Sequence, residues 1–436
     1  RFKTGTPPRI DGRSVDFSRL ERQDGDPEPE ARPYRFSSYT VERRLPQLPC
    51  WITWTGSALR EIVEGNLHRS ALYGGEIAGR GPRYCPSIED KIVRFPDAPR
   101  HQVFLEPEGL HTTELYMNGL STSLPADVQL AFLRSVPGLE TARMTKVGYA
   151  IEYDYFPPHQ LRHTLEVRAM PGLWFAGQIN GTTGYEEAAG QGIVAGANAA
   201  MAVRGEGALV FERDEAYLGV LVDDLVTKGV DEPYRLFTSR AEFRLLLRQD
   251  NALDRLGPKA RALGLLTAAQ KDALERSLDE RRRAWRWIEE TVARPAEVDD
   301  MLAAAGTEPL REPVRAIELL RRPEVRADAL IAALDGGRGP EALDPDAVAA
   351  VEVDVKYEGY VARERVRAER VRAQARVGLE EDLPYERFVT ISREARDKLM
   401  RVRPTSLAQA ARISGVSPAD LQNLLMEVRK HRSATQ

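Results

Sequence analysis

Between Gly172 and Ala200 the chain passes from a short apolar run, Gly172-Leu-Trp-Phe-Ala176, into a glycine-rich turn, Gly177-Gln-Ile-Asn-Gly-Thr-Thr-Gly184. A long stretch of small residues opening Tyr185-Glu-Glu-Ala-Ala-Gly-Gln-Gly192 follows. An apolar strand, a glycine turn and a small-residue helix in that order belong to layered α/β folds, in which a helix packs closely on a sheet. Gly190, Gly192 and Gly196, with Ala188, Ala189, Ala195 and Ala197, are expected to let the helix lie tightly against its neighbours.

The same unit predicts a ligand site. Gly177, Gly181 and Gly184 let backbone approach a ligand closely, and a helix starting near Tyr185 aims its free N–H groups and positive end at it. An electron-rich group is expected there, and a reduced flavin, anionic at its pyrimidine edge, meets that description. A plain connecting turn in a doubly wound domain has the same local sequence, so this reading stays open on the residues alone. No credible dinucleotide fingerprint occurs elsewhere. The spaced match at Gly337, Gly339 and Ala342 has no strand before it and reads as linker.

The chain's 436 residues suggest two or three domains. Residues 1–35, punctuated by glycine and proline, read as a connection, and 36–95 as an inserted α/β element with a strand at Cys50–Thr55 and a helix at Ser57–His68. Strand and helix patterns alternate over 101–205: His101–Glu106, Glu114–Tyr116, a helix Pro125–Ser135, Gly148–Tyr153 and Gly172–Ala176. From 206 the pattern is helical. Leu218, Leu221, Val222, Leu225 and Val226 share one face of a helix predicted over Asp214–Val230, with Gly229 to end it. Charged helices follow between Leu266 and Ala293. Asp335–Pro345 reads as a linker, and a separate helical unit begins at Val351, whose alternating valines also fit a strand. The expected domains are 1–205, 206–350 and 351–436.

No stretch approaches the roughly 18 apolar residues of a membrane span. Two cysteines, Cys50 and Cys85, fit a reducing compartment, and a net charge of −4 confines any RNA contact to local basic patches. The chain opens on Arg-Phe-Lys-Thr without a methionine or leader, so it is expected to begin mid-fold.

Four features carry candidate chemistry. Cys85, between Arg83 and Lys91, is either a cation-stabilised thiolate nucleophile or an inert buried thiol, and Cys50 reads as core. Glu89-Asp90-Lys91 also fits a surface salt-bridge cluster. Arg240, Arg244 and Arg248, spaced by four and preceded by Arg235, form one guanidinium stripe if helical; the stripe follows phosphates or is simply a solvated face. The run Arg363–Arg376, with six arginines against two glutamates, has the same two readings. Ser406–Ile413 and Ser417–Val428 form a helix-turn-helix-like pair, with few side chains suited to reading DNA bases.

Several long words spread over the chain resemble the MnmG (GidA) family of tRNA uridine 5-carboxymethylaminomethyl modification enzymes. They include Phe175-Ala-Gly-Gln-Ile-Asn-Gly-Thr-Thr-Gly-Tyr-Glu-Glu-Ala-Ala189, Lys3-Thr-Gly-Thr-Pro-Pro-Arg9, Arg83-Tyr-Cys-Pro-Ser-Ile-Glu-Asp-Lys91, Phe104-Leu-Glu-Pro-Glu-Gly109 and Gly119-Leu-Ser-Thr-Ser-Leu-Pro125. Gly148-Tyr-Ala-Ile-Glu-Tyr-Asp154, Pro233-Tyr-Arg-Leu-Phe-Thr-Ser-Arg240, Lys356-Tyr-Glu-Gly-Tyr360 and Gln409-Ala-Ala-Arg-Ile-Ser-Gly415 extend them.

The resemblance implies an FAD-binding Rossmann-like, doubly wound domain, incomplete at its front and carrying an inserted α/β segment, followed by a mainly α-helical C-terminal region. It implies a cytoplasmic flavoprotein that modifies the wobble uridine of tRNA using FAD, NADH and a methylene-tetrahydrofolate carbon with glycine or ammonia. A homodimer is expected to work with the GTPase MnmE, docked through the C-terminal helices, with no metal, membrane or DNA partner. Gln178, with Gly177, Gly181, Gly184, Tyr185 and Glu186, is expected at FAD. The segment Gly81, Pro82, Arg83, Tyr84, Cys85, Pro86, Ser87, Ile88, Glu89, Asp90, Lys91, Ile92, Val93, Arg94 and Phe95 is expected at the nicotinamide nucleotide, with Cys85 catalytic. Arg235, Arg240, Arg244 and Arg248 are expected at RNA. The shorter folate-dependent tRNA uridine methyltransferase, which lacks the helical extension, and a non-enzymatic binding module are the alternatives.

Overall fold

The computed structural model describes residues 1–25, 46–77, 79, 81, 86–334, 343–375, 377–380 and 382–435. They fall into two compact units. The first takes the described parts of Arg1–Phe36 and Glu42–Val210 with Asp224–Leu236; the second takes Phe211–Asp223 and the described parts of Phe237–Gln436.

In the first unit a six-stranded sheet is built from β2 (Arg9–Asp11), β3 (Glu21–Gln23), β4 (Cys50–Trp54), β5 (Gln102–Pro107), β6 (Glu114–Asn118) and β7 (Met144–Lys146). Its order is β3-β4-β5-β6-β2-β7 and every pairing is antiparallel. Alternation drives it: Val103 and Leu105 on β5 and Leu115 and Met117 on β6 are buried, whereas the residues between them are partly exposed or exposed. Their face meets α1 (Ser57–Asn66) through Leu59 and Val63, α2 (Ile88–Arg94) through Ile88 and Ile92, and α3 (Ala126–Arg134) through Val128, Phe132 and Leu133. Each such side chain contributes roughly 1.5–3 kcal/mol on burial. A separate ribbon pairs β1 (Phe2–Gly5) with β8 (Ala150–Tyr153).

Residues 1–25 are therefore more than a connection. They supply β1, β2 and β3, and Phe2 and Ile10 are among the largest fully buried side chains. The glycines and prolines that suggested a loop mark turns between very short strands. Gly172–Ala176 differs in the opposite sense: a single bridge, Trp174 to Glu166, replaces the expected strand. The long helix α4 (Tyr185–Arg204) follows as expected.

The second unit is helical. Of the helix expected at Asp214–Val230, this unit holds α5 (Tyr217–Asp223); the π-helical turn Asp224–Lys228 that follows it in the chain, before Gly229, is counted with the first unit. Then come α6 (Ala252–Ala262) and α7 (Ala268–Glu290), the latter opened by a reciprocal capping box between Thr267 and Gln270. A small ribbon, β9 (Val292–Ala293) with β10 (Val314–Arg315), lies among α8 (Pro295–Ala304), α9 (Ala316–Leu320), α10 (Ala327–Leu334) and α11 (Pro345–Ala375). The ambiguous valines resolve as helix. Val351 and Val355, four apart, are buried with Ala347 and Val348, while Val353 is only half-buried. The expected linker at 335–345 lies mostly outside the described residues.

The last bundle contains α12 (Arg393–Val402), α13 (Leu407–Arg412) and α14 (Pro418–Thr435), around Tyr385, Leu399, Leu424 and Val428. Asp420 accepts hydrogen bonds from Ser392 N at 2.8 Å, Ser417 N at 3.0 Å and the Ser417 hydroxyl at 2.6 Å, and its own amide donates to Ser417 Oγ. These bonds, the Ser417 hydroxyl's first, hold the Asp420 carboxyl at about 2 against a usual 3.8, with burial opposing them. A carboxyl depressed on folding stabilises the bundle above its unfolded value and loses that contribution as pH falls through its folded one. Asp420→Asn should therefore weaken the protein at neutral pH and flatten its loss of stability between about pH 4 and pH 2, as followed by circular dichroism.

Candidate functional site

The turn predicted to hold a ligand is a 3-10 segment, Gly177–Asn180, ending at Gly181 in the left-handed conformation with φ +82°. One side chain of α4 pins it. Gln191, completely buried, accepts from Gly177 N at 3.1 Å and Asn180 Nδ2 at 2.8 Å, and donates to Thr182 Oγ1 and Glu187 O, each at 3.0 Å. Asn198, two turns on, ties the same helix to the backbone of Leu209 in both directions. Neither residue stood out in the sequence. The available signal was polarity, two amides on the inward side of a helix otherwise made of small residues.

A second strut comes from 233–236. Tyr234 N donates to Gly181 O at 2.8 Å, Thr183 N donates to Tyr234 O at 3.3 Å, and the buried Glu187 accepts from Arg235 Nε at 3.1 Å and Leu236 N at 2.8 Å. Arg235, expected at RNA, thus has a carboxylate inside its own unit.

Two of the three turn glycines are small because the protein itself crowds them. A Cβ on Gly184 would fall 1.6 Å from Glu187 Oε2; one on Gly181 would meet Val230, Phe2 and Tyr155 at 3.1–3.3 Å. The expected tight packing of Gly192 and Gly196 is also absent: a Cβ on either meets nothing within 4 Å, and α4 is seated instead by Gly190, Gln191, Val194, Ala195 and Asn198.

What remains open is the start of α4. Its N-cap, Gly184, provides no side-chain cap, Tyr185 is 94% exposed, and Glu186 and Gln178 are exposed beside it. Asn180 Oδ1 and Glu187 Oε2 are buried acceptors without a hydrogen-bond partner among the described residues. Burial raises the Tyr153 phenol to about 12, with a hydrogen bond from Gln178 partly opposing it. A neutral phenol and an amide thus stand at the turn. These uncapped N–H groups and exposed polar side chains suit the polar edge of a flavin ring.

The stretch Gly81–Phe95 divides by environment. Pro82, Arg83, Tyr84 and Cys85 lie outside the described residues. Ser87 caps α2 by accepting from Asp90 N, while Ile88 and Ile92 belong to the core and face no ligand. Glu89 is no part of a surface cluster: it is fully buried, and its Oε1 accepts from Ser70 Oγ, Ser123 N and Ser123 Oγ at 2.9–3.1 Å. Lys91 donates to Gly119 O at 2.8 Å; Val93 and Phe95 are exposed. Asp90 accepts from the Tyr73 hydroxyl at 2.9 Å and pairs with Arg94 at 3.4 Å. Burial first, then the Asp90 charge, pushes the Tyr73 phenol up. These three residues, with Lys3, Gly81 and Glu232, line a cavity of about 570 Å³, a size suited to a nucleotide portion. Lys3 and Glu232 were not foreseen, because they converge on Gly81 from distant parts of the chain, and the nearby Tyr73 was not foreseen either. The Cys50 thiol is raised by burial and then by Glu106, which fits its reading as an inert residue.

The arginine stripe does not form. Residues 241–251 contain no helix, and Arg240 closes a 3-10 turn, Thr238–Arg240. Ala241 and Phe243 are both buried, two residues apart, which a single helical face does not permit. Arg244 is exposed, whereas Arg248 pairs with Asp250 at 3.0 Å and Asp354 at 2.6 Å.

Family models match nearly the whole chain. Glucose inhibited division protein A covers 1–207, the tRNA modifying enzyme MnmG/GidA C-terminal helical domain covers 268–365, and the MnmG/GidA C-terminal helical bundle covers 367–436. The tRNA uridine 5-carboxymethylaminomethyl modification enzyme MnmG of Exiguobacterium sibiricum is 49% identical over 435 residues, spanning all of this chain and 68% of that protein. The chain belongs to the MnmG/GidA family. The enzyme of the same name from Geobacillus thermodenitrificans is 48% identical with the same coverage. Two crystal forms of Aquifex aeolicus GidA superpose with TM-scores of 0.83 and 0.82, at 42% and 44% identity, over 98% of this chain and 67–68% of theirs. Membership carries the expected fold class, an α/β flavin-fold region followed by a mainly helical one. The two helical models cover the region that the shorter methyltransferase alternative was expected to lack. Among the described residues no helix is long and apolar enough to cross a membrane, and no group of three metal-ligating side chains occurs.

Proposed function

We propose that this protein is an FAD- and NADH-dependent enzyme that adds a carboxymethylaminomethyl group to C5 of the tRNA wobble uridine. Methylene-tetrahydrofolate is the carbon donor, glycine or ammonia the amine source, and the GTPase MnmE the partner of its homodimer in the cytoplasm. The observation that carries the reading is the uncapped start of α4 behind a turn fastened by Gln191, inside a family-matched segment. Gln178, Gly177 and the N–H groups from Tyr185 would hold the flavin, with Glu186 at the edge of the site. When bound, the flavin supplies the redox chemistry. The chain's own part is to keep the turn rigid, through Gln191 and the Glu187–Arg235 pair, and to hold Tyr153 protonated at its edge. Lys3, Asp90 and Arg94 would bind the nicotinamide nucleotide at the cavity that they line.

Cys85 is assigned the nucleophile's role. Its thiolate adds to C6 of uracil, the electron pair moves to C5, and C5 bonds to the methylene carbon of the folate in its iminium form, whose C=N pair returns to the folate nitrogen. Loss of the C5 proton expels folate from that carbon, the nitrogen of glycine or ammonia adds to the exocyclic methylene so formed, and the returning electron pair expels the thiolate and restores the ring. Arg240, partly buried, and Arg244, exposed, are assigned to tRNA phosphates.

The test uses cells whose sole family member carries this sequence, with tRNA digests analysed by mass spectrometry. The modified wobble nucleoside is expected with the unaltered protein and absent with Cys85→Ala, while flavin content stays equal. Normal nucleoside levels in the variant remove Cys85 from the mechanism; an unaltered protein that holds no flavin overturns the redox reading.

A further inference from the structure

Within the helical unit a cavity of about 680 Å³ opens between α6, α7 and α11. Its size lies in the range of small-molecule sites. Most of its charges are already matched: Arg248 and Arg281 both reach Asp354, Arg281 also reaches Asp254, Arg372 pairs with Asp214 at 2.8 Å, and Glu215 pairs with Lys259. Arg255 has no such match. Its Nε donates to Asn251 Oδ1 at 3.3 Å, Nη2 to Arg248 O at 3.4 Å and Nη1 to Glu215 O, all neutral acceptors. Among the described residues no carboxylate forms an ion pair with it. Burial pushes its guanidinium below the ordinary arginine value, an effect that the Glu215 charge opposes and the Arg248 charge reinforces.

A half-buried guanidinium whose hydrogen bonds all go to neutral acceptors, with Glu215 and Asp250 near it but not paired to it, keeps capacity for a direct anionic partner, and its fork is the group best shaped for two oxygens of a phosphate. Arg365, on the same wall, has no hydrogen bond or ion pair among the described residues, and Leu246, Leu278 and Trp285 add an apolar surface able to take a planar ring. We propose that this cavity binds a phosphate-bearing ligand of nucleotide type, its phosphate on Arg255 and Arg365 and its ring against the Trp285 wall. The ligand is either a free nucleotide or a nucleotide of an RNA strand, and the site does not depend on the flavin reading.

The probes are inorganic phosphate, adenosine monophosphate and a single-stranded tetraribonucleotide, titrated calorimetrically into the protein. At least one is expected to bind with a Kd below about 1 mM, and Arg255→Gln to weaken it by about tenfold or more, since charge-assisted hydrogen bonds contribute roughly 1.5–3 kcal/mol. Arg365→Gln, at an exposed position, should weaken it too and serves if Arg255→Gln fails to fold; Arg276→Gln, outside the cavity, should not. Preference for the mononucleotide assigns a free ligand. Preference for the tetranucleotide, with an affinity that falls steeply with salt, assigns an RNA strand. Binding of none of the three, or equal affinity in Arg255→Gln, Arg365→Gln and Arg276→Gln, overturns the proposal.

Discussion

Asp223→Ala should destabilise the helical unit by about 3–5 kcal/mol, the range for breaking a buried ion pair from one side. Asp223 is 3% exposed and serves two arginines far apart in sequence. Its Oδ2 accepts from Arg213 Nη1 at 3.0 Å and Arg412 Nε at 2.8 Å, and its Oδ1 accepts from Arg412 Nη2 at 2.6 Å. Removing the carboxylate leaves Arg213, itself buried, with Glu242 and the Arg240 carbonyl, and leaves Arg412 at the end of α13 without this anion. Denaturant unfolding should show a lowered midpoint. Arg412→Ala should cost less, because Asp223 then keeps Arg213. Equal losses in the two variants, or a loss in Asp223→Ala below about 1 kcal/mol, would mean that water replaces the carboxylate and that the triad contributes no more than a surface pair.

The same triad illustrates what the sequence conveyed and what it did not. The pattern of residues located α1, α3 and the strands β5 and β6 to within a few residues, while α14 began where its cap and proline placed it but runs on past the expected Val428 to Thr435, and the charged helices expected between Leu266 and Ala293 are the single α7. The pattern failed where elements are only three or four residues long. Phe2 and Ile10 fill the core from strands too brief to display a period, and Phe243 and Leu247 mimic a helical spacing in a segment that only turns. Long-range pairing was invisible altogether. Nothing local marks Asp223 as the partner of Arg412, or brings Lys3 and Glu232 to Gly81. The candidate site was legible for a different reason: the order of apolar run, glycine turn and small-residue helix is itself local. The residues that hold it rigid were not, since an inward amide becomes informative only when its four partners are known.

That rigidity is open to direct test. Gln191→Leu preserves volume and removes all four hydrogen bonds, stranding the Gly177 N–H and one of the two Asn180 Nδ2 hydrogens, the other staying on Phe175 O, in a site without water access. Leaving a buried polar group unsatisfied costs about 1–3 kcal/mol, so two or more such groups should lower the stability of the first unit by about 3 kcal/mol or more. The local consequence separates this from a general packing defect. Hydrogen exchange at the Gly177 amide should accelerate well beyond that at β5 and β6, whose core does not include Gln191. Flavin affinity should fall in parallel, because a mobile turn must be ordered again on binding. Gln191→Glu retains the acceptor toward Gly177 and Asn180 but loses the donors to Thr182 and Glu187, and should restore part of the Gly177 protection. Uniform acceleration across the unit in Gln191→Leu, with flavin affinity unchanged, would show the amide to be a generic core residue, and the turn would then owe its shape to Gly181 and the Tyr234 strut alone.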